Sequence, residues 1–138
     1  KLQRLSHQNE KLLQQQSHRH QMRLAALEKR ITVHQEAYTL WRKLFFTPPG
    51  PRLRDIVVEC QTWWERNCLY LTPEAREAFY EAFHRANNHE NLRGNGEAQE
   101  ENFQRIKETG AIIVAGVQLP SLGEREHKDV RSTSEEDG

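Results

Sequence analysis

The sequence predicts an all-α protein in which a long N-terminal coiled-coil-like helix runs into a small four-helix bundle. Three observations carry that expectation. Residues 1–47 contain neither glycine nor proline and are rich in Leu, Gln, Glu, Lys and Arg, all good helix formers. Along the rest of the chain apolar residues recur three and four apart, the period of a helix and not the alternation of a strand. The one β-branched run, Ala111-Ile112-Ile113-Val114, has no second strand pattern to pair with and therefore reads as helix. At 138 residues and 16.3 kDa the chain holds one compact unit plus an extension. Its hydrophobic content of 36% falls below the globular norm of about 45–50%, which suits an elongated, well-solvated molecule.

Each element follows from local chemistry. In the first helix Leu2, Leu5, Asn9 and Leu12 occupy a and d positions of a heptad, and Leu24, Ile31, Tyr38 and Phe45 form a second a series displaced by one residue. The polar stretch QQQSHRHQ separates the two series. Thr47-Pro48-Pro49-Gly50-Pro51 ends the helix, because proline removes backbone donors and disfavours helical geometry in the residue before it. From Leu53 to Leu71 the positions Ile56, Val57, Cys60, Trp63, Trp64 and Asn67 trace one helical stripe. Thr72-Pro73-Glu74 is a helix start, with Thr as N-cap, Pro at the first helical position and an acid facing the positive helix end. The helix it opens carries Ala75, Phe79, Ala82 and Phe83 on one side and ends near Asn87-Asn88-His89. Arg93-Gly94-Asn95-Gly96 marks a loop before a last helix from Glu97 to about Val117.

The expected division is a basic amphipathic helix over 1–35, a helical bundle over 36–119 and a flexible acidic tail over 120–138. The tail has only Leu122 and Val130 as sizeable aliphatics, too few to offset the entropy of ordering it. Ten of the eleven aromatic residues lie between Tyr38 and Phe83, which locates the core. The expected core is Leu24, Leu27, Ile31, Tyr38, Trp41, Phe45, Ile56, Cys60, Trp63, Phe79, Phe83, Ile106 and Ile113.

Charge argues about partners only through its distribution, since 20 Lys and Arg balance 20 Asp and Glu. Residues 1–35 hold seven Lys or Arg against two Glu, and residues 93–138 hold six against ten acids. A basic arm can neutralise phosphates, so a nucleic-acid-binding module is the alternative function. Its cations are scattered around the helix and lack interleaved aromatics, which favours a solvated coiled-coil face and makes nucleic acid the lesser expectation. Cys60 and Cys68, eight residues apart on one helix, are beyond bridging reach, which suits a reducing, cytoplasmic location.

No run of apolar residues is long enough to cross a bilayer, and no signal-peptide pattern is present. The start at Lys1, with Leu2 and Leu5 already in helical phase, is expected to belong to a longer protein. A membrane helix upstream of Lys1 is one hypothesis for the basic stalk.

Catalytic, cofactor-binding and metal residues are all expected to be absent. There is no Ser-centred elbow, phosphate-cradling glycine loop or HExxH pattern. Glu74, Glu77 and Glu81 share a helix flank and read as a solvated face paired with Arg76 or Arg85. Cys60, Cys68, His84 and His89 have no metal-binding spacing and read as structural residues. His34, between Ile31 and Tyr38, reads first as a partly exposed residue at the bundle edge and second as a pH-sensitive core contact. Asn9 at an a position either fixes coiled-coil register or is an exposed polar residue on an unpaired helix. Trp63 and Trp64 point about 100° apart; the default reading puts both rings in the core, and the functional alternative has Trp64 facing a protein partner.

The stretches LEKRITVHQEAYTLWRKLFF (27–46) and VVECQTWWERNCLYLTPEAR (57–76) resemble segments of a group of bacterial proteins without an assigned activity. The resemblance covers most of 24–119 and implies a membrane-anchored helical protein; it transfers no catalytic or ligand-binding residue. The resulting expectation is a non-enzymatic oligomerisation and protein-interaction module, the cytosolic part of a larger bacterial protein. A homodimer through Leu2, Leu5, Asn9 and Leu12 is the simplest state, with parallel strands as its simplest form.

Overall fold

The computed structural model describes residues 2–118, and the expected acidic tail lies outside them. Four α-helices follow one another: α1 (Leu2–Phe46), α2 (Pro51–Asn67), α3 (Pro73–Asn88) and α4 (Gly96–Ala115). Short 3-10 turns at Cys68–Tyr70 and His89–Leu92 join the last three. The run Ala111–Val114 is helical, as the lack of a pairing strand required.

Boundaries fall where the chemistry dictates. The Pro-rich turn is passed by Gly50 at φ 152°, a backbone conformation that favours glycine, and Pro51 opens α2. Thr72 caps α3 by accepting a hydrogen bond from the Ala75 N–H through its side chain at 3.3 Å. Asn95 does the same for α4, accepting from the Ala98 N–H at 3.2 Å.

The core brings Leu53, Ile56, Val57 and Cys60 of α2 against Phe79, Ala82 and Phe83 of α3, with Ile106 and Ile113 of α4 closing it. Alanines at 37, 75, 82 and 86 are buried and let the helices approach closely. On α1 the buried set is Val33, His34, Ala37, Leu40, Trp41 and Leu44. The expected stripe is corrected here: Leu24 is 46% and Ile31 44% exposed, and Tyr38 and Phe45 are only half-buried. At 100° per residue, the face α1 gives to its own bundle lies about a quarter turn from the heptad stripe. A second correction concerns His34, which is 1% exposed and therefore a core residue, not an edge residue.

Candidate functional site

The heptad face left over by the bundle is the most distinctive surface of the molecule. Every described residue from 2 to 26 is exposed, so α1 projects about 37 Å beyond the first contacts with its bundle. Leu2 is 84% and Leu12 56% exposed, and Leu5, Leu13 and Met22 lie in the same open segment. Asn9 is exposed among them. The four expected interface residues thus stand together on one arm, free of contact with the rest of the chain.

Three locks hold α1 in the rotation that leaves this face free. Arg30 donates from Nε to the Gly116 carbonyl at 2.8 Å, tying α1 to the end of α4. His34 uses both ring nitrogens, one 2.7 Å from the Arg30 carbonyl and the other 3.2 Å from the Thr72 N–H. A carbonyl can only accept and an amide N–H can only donate, so the ring is neutral, with its proton on Nδ1. Burial holds its pKa below the ordinary 6.5, and the nearby Arg30 charge acts in the same direction. The third lock is Trp41, whose Nε1–H donates to the Ile106 carbonyl at 2.7 Å while its ring lies against Gly110. Only a residue without a Cβ leaves room for that indole.

The tryptophans of α2 are also committed within the chain. Trp63 donates to the Glu36 carboxylate at 2.9 Å and meets Phe79 edge-on. Trp64, the expected partner-facing ring, donates to the Arg76 carbonyl at 2.9 Å and packs on Tyr80 with centroids 4.9 Å apart. It remains half-buried, so part of it is still open to contact outside the chain.

Among the described residues no three His, Cys, Asp or Glu side chains converge as a metal site would require. Cys60 and Cys68 are both free thiols. Burial, helped by the Glu59 charge, pushes the Cys60 thiol up to about 12, so it stays protonated and unreactive at neutral pH. On the acidic flank of α3, Glu81 pairs with Arg85 at 2.8 Å. Arg76 turns away from it to donate to the Cys68 and Leu71 carbonyls. The flank borders an open groove of about 620 Å³ with Arg30 at its side. A more apolar hollow of about 350 Å³ lies under the Pro-rich turn, lined by Phe45, Phe46, Pro48, Leu53 and Phe103. Its polar members are already engaged: Thr47 donates to the Lys43 carbonyl, and His89 meets Asn102 at 2.9 Å.

Sequence reasoning missed Asn102, which is buried on α4 and fastens it to α3. Its amide nitrogen donates to the Arg85 carbonyl at 3.0 Å and to His89 Nδ1, while its oxygen accepts from the Arg85 guanidinium at 3.3 Å. One signal for it exists in the sequence: Asn102 falls in phase with Ile106, Thr109 and Ile113 on the inward face of α4.

No helix among the described residues is long and apolar enough to cross a membrane. No protein-family model, curated protein or solved structure matches the chain, so the reading of this surface rests on its own geometry.

Proposed function

We propose that the protein is a non-enzymatic self-association module, in which the exposed face of α1 joins two copies and the bundle sets the position of that face. The observation that carries this reading is the split of α1 into two apolar faces. One, at Val33, Ala37, Leu40 and Leu44, is satisfied within the chain; the other, from Leu2 to Ile31, is not. A row of leucines exposed to water along a projecting helix is sheltered when a second such helix lies against it. A second copy is the occupant of identical pattern. The protonated Cys60 thiol is in keeping with a structural role, and two free thiols accord with a reducing, cytoplasmic setting. Attachment to a membrane, as the cytosolic part of a larger bacterial protein, belongs to the same proposal.

Sedimentation equilibrium of the full chain against a form lacking residues 1–22 tests the reading. The expected result is a dimer for the full chain and a folded monomer for the shortened one. A full chain that remains a single copy across the accessible concentration range overturns it. Retention on DNA or RNA that falls steeply with salt would instead move the arm's role to phosphate binding.

A further inference from the structure

We propose that the two copies pair parallel and in register along the exposed face of α1, residues 2–22 supplying most of the contact and the Arg23–Ile31 segment fixing the register, with Arg23 of each copy opposite Glu28 of the other. This rests on the self-association reading and adds orientation and register to it.

With Leu24 and Ile31 at a and Leu27 at d, Arg23 is a g residue and Glu28 an e residue. In a parallel, in-register pair a g side chain faces the e side chain five positions further along the other strand. Counting five on from Arg23 reaches Glu28. In the antiparallel arrangement g faces g and e faces e, which sets arginines against arginines and leaves the Glu28 side chains on a common edge.

The structure supplies what the pairing needs. Leu24 and Ile31 are exposed, and Leu27 is half-buried at the mouth of the bundle. Arg23 and Glu28 are both exposed, and among the described residues neither has an ion-pair partner. Arg30, the next g residue, is spent on the Gly116 carbonyl and faces an uncharged Gln35 in this register. The bundle buries the next two d residues, His34 and Trp41, so the seam free for a second copy ends at Ile31. Beyond Ile31 the seam opens into a recess of about 240 Å³ lined by Ile31, Tyr38, Ile113, Val114 and Val117, an apolar landing where the coil meets the bundle.

Two further features fit only this alignment. The one-residue displacement between the Leu2–Leu12 and Leu24–Phe45 series occurs at the same level in both strands of a parallel pair, so it never mismatches them. Asn9, at an a position, meets Asn9 of the second copy, where two amides satisfy each other; antiparallel strands place a against d.

The test uses the full chain with Cys68→Ser, leaving the buried Cys60 in place. Leu27→Cys is expected to give a covalent dimer on mild oxidation, and Ala25→Cys, on the opposite face, is not. Arg23→Glu and Glu28→Arg are each expected to weaken dimerisation about tenfold, and the double swap to restore it to within about twofold. If the chain dimerises but Leu27→Cys links no faster than Ala25→Cys, or the double swap fails to restore affinity, the parallel register is wrong and self-association stands. A monomer at every concentration removes both.

Discussion

Replacing Gly110 with alanine sets two effects of opposite sign against each other. In an exposed helix interior the change is favourable by about 1 kcal/mol, because alanine has the higher helix propensity. Here the added Cβ would fall 2.7 Å from both Cζ2 and Cζ3 of Trp41, with Cη2 nearer still. The indole is a rigid body pinned at its other end by the 2.7 Å bond to the Ile106 carbonyl, so it cannot swing away without giving that bond up. Overpacking of this kind costs about 1–3 kcal/mol, and a lost buried hydrogen bond about 0.5–1.5 kcal/mol. After subtracting the propensity gain, the expected net destabilisation is about 2 kcal/mol, or a fall in Tm of about 8 °C. Urea unfolding followed by circular dichroism and tryptophan fluorescence measures it. Gly96→Ala serves as the control, since a Cβ there meets nothing within 4 Å. A Gly110→Ala protein as stable as its parent, or more so, would refute the close approach of α1 and α4 on which the rotation of α1 depends.

Two other perturbations follow from the buried polar groups. His34 is neutral in the fold with a lowered pKa, so its contribution is complete above pH 6.5 and is lost as pH falls below that value. The slope is at most about 1.4 kcal/mol per pH unit, and His34→Gln is expected to flatten the pH dependence of unfolding between pH 7 and 5.5; an unchanged slope would acquit His34. Asn102→Leu strands the Arg85 carbonyl and His89 Nδ1 without their donor, at a cost of about 2–3 kcal/mol by chemical denaturation. A loss below about 0.5 kcal/mol would show that water replaces the amide.

Local signals in the sequence were strong at helix ends. Thr72-Pro73 starts α3 and the Pro-rich turn ends α1 because capping and proline geometry act over a few residues and need no tertiary context. The inward stripe of α2 was equally legible, since Ile56, Val57 and Cys60 are its only consistent apolar face. On α1 the pattern was ambiguous for a physical reason. The helix carries two apolar faces, and the one with the larger side chains, Leu24, Ile31, Tyr38 and Phe45, dominates any reading by size. The bundle instead takes the face with Val33, Ala37 and Leu40, where small residues permit close packing. His34 reads as an edge residue until its partners, Arg30 and Thr72, are brought to either side of the ring; one of them is 38 positions away. Asn102 shows only its phase with Ile106 and Ile113, its partners being hidden for the same cause, and the purpose of Gly110 appears only once Trp41 lies over it. Of the candidate interface, the leucine spacing was readable, whereas its availability depends on which way α1 is turned.

Because the projecting arm and the wall of the bundle are a single unbroken rod, rotation is transmitted along it without slack. Inserting one residue within QQQSHRHQ would swing the globule about 100° around the axis while lengthening the molecule by only about 1.5 Å. The polar stretch is therefore a dial: whatever grips the arm also fixes the compass bearing at which the bundle presents its sides.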